Sequence, residues 1–120
     1  MSKIIADLSK PLPARFLSNR KQGGKQLTYI SWHTANKLMD YFCGGGWEGS
    51  VTNIHSTPEE VFVVYRVTIH AAEGHVSREA TGSEKLASNA FGEAIAKSES
   101  QAFRRACARF GLALYLYDGD

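Results

Sequence analysis

The stretch "VFVVYRVTIHAAEGHVSREATGS", residues 61–83, decides the fold. Its first half alternates strictly, with Val63, Tyr65, Val67, Ile69 and Ala71 on one side and Phe62, Val64, Arg66, Thr68 and His70 on the other. A period of two over this length predicts a strand with two chemically different faces. Glu73 and Gly74 then supply a turn into a second strand, "HVSREATGS". Upstream, "WEGSVTNIH" reads as a third strand and "STPEE" as the turn that follows it, so the three form an antiparallel meander.

Past the meander the period changes. From about Ser88 to Arg109, Phe91, Ile95, Ala102, Phe103, Ala106 and Cys107 recur on one side of a helix, joined by Phe110, and Gly111 stands where a carboxy-terminal cap belongs. Lys97, Gln101, Arg104 and Arg105 gather on another side. Before the meander, "SWHTANKLMDYF" starts at a Ser31 cap, spaces Ala35, Leu38, Met39 and Phe42 helically, and stops at "CGGGW". Between "PLPARFLSNR" and "LTYI" lies "KQGGKQ", a Gly-rich basic loop. The expected architecture is α+β: a three-stranded antiparallel β-meander packed by a long C-terminal helix, a βββα core, with an N-terminal helix and basic loop. At 120 residues and 43% hydrophobic content the chain reads as a single domain over 1–120, with residues 1–11 as a flexible or oligomer-contacting arm.

The net charge is only +2, yet residues 1–37 carry seven basic residues against one acidic, and residues 38–96 three against eight. This segregation predicts a basic face. No apolar run approaches the roughly 20 residues that cross a bilayer, and "MSKIIADLSK" lacks a signal peptide's apolar stretch, so a soluble intracellular protein is expected, with no membrane partner. Cys43 and Cys107 read as reduced thiols, and the four histidines lack ligand spacing, so no metal is expected. "QGGKQ" is not a phosphate loop, because Lys25 is followed by Gln26 rather than by a magnesium-binding hydroxyl. The acidic residues form no recognisable nuclease set. Neither an enzyme nor a cofactor is therefore expected.

The segment "SQAFRRACARFG", residues 100–111, poses the functional question. Its arginines could be solvated or paired with Glu84, Glu93 or Glu99, could contact a protein partner, or could bind a phosphate backbone through guanidinium forks. Among the aromatic residues, Phe16, Tyr29, Tyr41 and Trp47 are assigned mainly to packing; Trp32, beside the basic loop, is the one placed to stack on a base.

The ordered set "RFLSNRKQGGKQLTYI", "GGGWEGSV", "VVYRVTI", "REATGSEK" and "FGEAIAKSESQAFRRACARFGLAL", from about Leu12 to Tyr117, resembles the annealing domain of the Rad-fifty-two superfamily of single-strand annealing proteins, including its short phage and bacterial, DdrA-like types. The resemblance implies a homo-oligomer, a ring or arc, whose basic groove holds single-stranded DNA by its phosphates and promotes annealing without ATP. It implies DNA-binding roles for Arg20, Lys21, Lys25, Arg104 and Arg105, with Lys85, Lys97, Arg109 and Trp32 as secondary candidates. It further implies the cytoplasm of a bacterial or phage-infected host, in association with the nucleoid. A single-strand-binding protein or recombinase could be a partner; longer relatives recruit both through a region beyond the point where this chain ends. The chain departs from the family in placing Ala108 where another basic residue often stands, with Arg109 one position on, and in its acidic hairpin tip "AAEGH". The alternative is an RNA- or double-stranded-DNA-binding module of similar topology without annealing activity.

Overall fold

Alternation along residues 60–71 builds the central strand of the sheet. In the computed structural model, which describes residues 1–22, 24–86 and 90–117 apart from the side chains of Gln22 and Lys25, eight elements follow in order. They are α1 (Ser2–Leu8), β1 (Ser18–Gln22), β2 (Lys25–Tyr29), α2 (Trp32–Cys43), β3 (Trp47–Ser56), β4 (Glu60–Ala71), β5 (Gly74–Lys85) and α3 (Phe91–Ala108). Strands β3, β4 and β5 form the expected antiparallel meander in that order. Val61, Val63, Val67 and Ile69 are fully buried on the face toward α3. Ala71 pairs with Gly74, which leaves Ala72 and Glu73 as a two-residue turn. A register shift between Val51 and Asn53 lets Val51 and Ile54 oppose Tyr65 and Val63, so both keep to the α3 side of the sheet.

Helix α3 sits on β4 and β5 along Ala94, Ser98, Ala102 and Ala106, small residues that allow a close approach. The sheet reciprocates at Gly82, where a Cβ would lie 2.1 Å from the Ser98 carbonyl oxygen and 2.8 Å from the Ala102 amide nitrogen. Phe103 fills the space beside this line, stacked on Trp47 at 5.8 Å and edge-on to Tyr65 at 5.2 Å between ring centres. Two details of the expected stripe are corrected. Phe91, the first residue of α3, is 54% exposed and Ile95 only half-buried, while Ala94 and Ser98 carry the buried line there. The expected start at Ser88 lies outside the described residues.

The last turn of α3 ends at Arg109 in right-handed geometry, and the reversal falls at Gly111, φ +114°, whose amide donates to the Ala108 carbonyl. A Cβ at Gly111 would meet Ser9 Oγ at 2.1 Å, so this glycine also lets α1 dock. The amino-terminal segment is thus helical over Ser2–Leu8, with Leu8 fully buried in the core. Helix α2 begins at the expected cap, where the Thr34 amide donates to Ser31 Oγ at 3.3 Å, and buries Ala35, Leu38 and Met39. The basic loop proves to be the tip of a two-stranded hairpin, β1–β2. Among the described residues no helix is long and apolar enough to cross a membrane.

Burial drives the Cys107 thiol well above the ordinary thiol range, with neighbouring Cys43 adding to the rise; Cys43 is raised less, first by burial and then by Asp40. A raised pKa leaves less thiolate at a given pH. At pH 8 we expect iodoacetamide to spare Cys107 in the folded protein and to modify Cys43 more slowly than a free cysteine, with both reacting freely in guanidinium. Mass spectrometry reads this directly, and equal folded and unfolded rates at Cys107 would show that the α3 face is not sealed.

Candidate nucleic-acid interface

The β1–β2 hairpin decides which basic side chains can meet α3. In its register Ser18 opposes Tyr29 and Arg20 opposes Leu27, so Arg20 and Tyr29 share one face while Lys21 falls on the other with Asn19 and Thr28. Arg20 therefore reaches over the Tyr29 ring, its guanidinium carbon 5.3 Å from the ring centre. From α3, Arg104 reaches the same ring at 5.5 Å. Each such contact contributes about 0.5–2 kcal/mol; the first lies within the hairpin, and the second ties it to the helix.

Arg104 is further fixed by donating from Nε to the Ser100 carbonyl at 3.2 Å and from Nη1 to the Ile30 carbonyl at 3.4 Å. It is half-buried, not a free surface cation, because the end of β2 lies across it. Burial lowers its pKa, and the nearby charges of Arg20 and Arg105 push the same way, against Tyr117 and Tyr29. Arg105 points toward β5 and donates to the Thr81 carbonyl at 3.1 Å. Gln101 accepts from the Ser83 amide at 2.8 Å, which makes it a docking residue between α3 and β5.

Arg20, Arg104 and Arg105 converge with Tyr29 and Tyr117 on one cleft of about 290 Å³. Among the described residues none of these three arginines forms an ion pair with a carboxylate. Two neighbouring acids pair with other cations: Glu93 with Lys97 at 3.3 Å, and Glu79 with Arg66 at 2.8 Å. Three guanidiniums with no carboxylate partner among the described residues repel one another, and a bound polyanion would relieve that repulsion.

The other residues expected from the sequence are distributed differently. Lys21 lies on the far face of the hairpin and does not line the cleft; the Lys25 side chain lies outside the described residues. Lys85 is at the end of β5 opposite Glu60, away from the cleft, and Lys97 is held by Glu93. Trp32 is 54% exposed but lines a separate cleft with Tyr65, Glu99 and Phe103. Arg109 is exposed in a shallow depression shared with Arg105 and Tyr117, which extends the cationic surface around the end of α3. Sequence reading missed Arg78, whose guanidinium lies 4.8 Å over the Phe110 ring and donates to the Arg109 carbonyl. The alternation Val76, Arg78, Ala80, Gly82 along β5 was the available signal, since it sets Arg78 on the helix side of the sheet.

Fold and cleft together define a small α+β protein with an arginine-lined cleft between a β-hairpin and the main helix. The chain matches the Rad52/22 family of double-strand break repair proteins over residues 1–120, and it belongs to that family. It is 37% identical over 122 residues to the DNA repair RAD52-like protein 1, mitochondrial, of Arabidopsis thaliana, covering 100% of this chain and 69% of the relative. It is 35% identical over 119 residues to the DNA repair RAD52-like protein 2, chloroplastic, of the same plant, covering 96% of this chain and 59% of the relative. The chain thus spans less than two thirds of that second protein. These relatives overturn the expected bacterial or phage cytoplasm: both are plant proteins named for organelles. The short core motifs that carried the resemblance do not encode the host, so the sequence reading had no basis for that choice.

Proposed function

We propose that the protein binds single-stranded DNA along its phosphate backbone, assembles into a homo-oligomer, and promotes annealing of complementary strands without ATP. The observation that carries this reading is the cleft where Arg20, Arg104 and Arg105 meet, none of them paired with a carboxylate among the described residues. Guanidinium forks match phosphate oxygens, and a bound strand releases counterions. Annealing makes and breaks no covalent bond; it needs strands whose mutual repulsion has been neutralised, and base pairing provides the driving force. Arg109 extends the same surface, and Lys25 keeps its proposed role at the hairpin tip. The names of the relatives support a eukaryotic organelle as the place of action.

Anisotropy titrations with unrelated oligonucleotides should give nearly sequence-independent affinities that fall steeply with salt, because phosphate contacts carry charge but no sequence code. A flat salt response would refute the backbone reading, and tighter binding to RNA or duplex DNA would favour a module without annealing activity.

Assembly is supported by what α3 leaves uncovered. Strand β3 is exposed beyond Trp47, and Val51 and Ile54, on the helix side of the sheet, are 36% and 48% exposed; Phe91, at the start of α3, is exposed too. A second copy that covers these residues and the sheet edge resolves an edge-strand liability. We expect light scattering at micromolar concentration to report a large homo-oligomer; a monomer, with and without DNA, would count against it.

A further inference from the structure

His70 and His75 stand five residues apart in the sequence, a spacing with no meaning for a helix, yet the β4–β5 hairpin sets them directly opposite each other. Both lie on the open face of the sheet, opposite the face buried by α3, and their ring centres are 5.7 Å apart. On β3, Glu48 brings Oε1 to 3.5 Å from His70 Nε2. The three border a shallow depression of about 350 Å³, floored by the Thr68 and Ser77 hydroxyls, which bond each other at 2.7 Å. Arg66, the neighbouring cation, is already neutralised by Glu79 at 2.8 Å.

We propose that His70, His75 and Glu48 form a binding site for a borderline divalent cation, with Zn²⁺ as the type ligand. Two imidazoles bound tetrahedrally to one ion through bonds of about 2.0–2.1 Å place their ring centres roughly 5 Å apart and their donor atoms about 3.3 Å apart. The 5.7 Å ring separation and the 3.5 Å contact of Glu48 with His70 are close to those values. As they stand, no three His, Cys, Asp or Glu side chains among the described residues are placed to hold a metal ion, so binding requires these side chains to rearrange. That rearrangement involves side chains with room to turn, since the Glu48 side chain is 71% and that of His70 50% exposed. Two neutral imidazoles and one carboxylate suit zinc or copper better than magnesium or calcium, which prefer oxygen alone. Water completes the coordination. The site is independent of the arginine cleft, which opens on the other side of the molecule's sheet.

The test is calorimetric titration of ZnCl₂ into the full chain, without DNA, in a Cys43→Ser background that removes the half-buried thiol as a competing ligand. One ion per chain with micromolar affinity is expected. His70→Gln and His75→Gln should each weaken it at least tenfold, and Glu48→Gln a few-fold. Copper substitution should show two nitrogen ligands by electron paramagnetic resonance, reduced to one in either histidine variant. These side chains are exposed on the sheet, so circular dichroism should confirm that the variants fold. No binding at 1 mM ZnCl₂, or an affinity indifferent to both histidine substitutions, would overturn the proposal.

Discussion

Replacing Arg20 and Arg105 together by alanine should weaken single-stranded DNA binding roughly a hundredfold or more at moderate salt, since hydrogen bonds to charged groups contribute about 1.5–3 kcal/mol each and about 1.4 kcal/mol is one decade. The slope of log affinity against log salt should fall by about 0.7 for each phosphate contact removed, and annealing should fall with binding. Both residues are exposed, with one structural contact each, Arg20 on the Tyr29 ring and Arg105 on the Thr81 carbonyl, so a melting curve of the variant accompanies the titration to separate lost charge from lost packing. Arg104 is a poorer probe despite sitting deepest in the cleft. It bridges Ser100, Ile30 and Tyr29, so Arg104→Ala also detaches the hairpin from α3 and should lower stability by about 1–2 kcal/mol. A double Arg20→Ala, Arg105→Ala variant that binds and anneals like the parent, with an unchanged salt slope, would remove the cleft from the DNA path.

That division of labour between adjacent arginines shows where the sequence could be read and where it could not. The meander and the long helix were legible because each imposes a period, two for Val63 to Ile69 and near 3.6 for Ala102 to Phe110, that a core must obey. Arg104 and Arg105 read as one polar stripe, but they lie about 100° apart around the helix. Only the position of β2 makes one half-buried and leaves the other exposed. The β1–β2 hairpin was hard to read as strands because "SNRKQ" has no apolar residue and "KQLTY" alternates only Leu27 and Tyr29; backbone pairing, those two half-buried side chains and the arginines on Tyr29 hold it. For the same reason Lys21 could not be told from Arg20 until the register was known. The His70–His75 pair depends likewise on which residue faces which between β4 and β5, which composition alone does not contain, whereas the side of the sheet taken by Arg78 was open to reading from the alternation along β5.

Gly82→Ala should be one of the most damaging glycine substitutions in this protein. Its new Cβ would lie 2.1 Å from the Ser98 carbonyl oxygen and 2.8 Å from the Ala102 amide, atoms of the α3 backbone that cannot rotate away as a side chain could. Relief requires α3 to lift from β5, and that motion opens the contacts of Ala102, Phe103 and Ala106 together. Overpacking of a core usually costs about 1–3 kcal/mol, and a clash with helix backbone belongs at or beyond the upper end. We therefore expect a melting temperature lowered by roughly 10 °C or more, or no folded protein at all. The site would fail with the fold, because the same segment of β5 anchors the helix through Thr81 to Arg105 and Ser83 to Gln101. Gly92→Ala is the control: nothing lies within 4 Å of its would-be Cβ, and in the first turn of α3 alanine should be neutral or stabilising by up to about 1 kcal/mol. If Gly82→Ala melts within about 2 °C of Gly92→Ala, less than 1 kcal/mol separates them, and α3 does not rest on the sheet at that glycine.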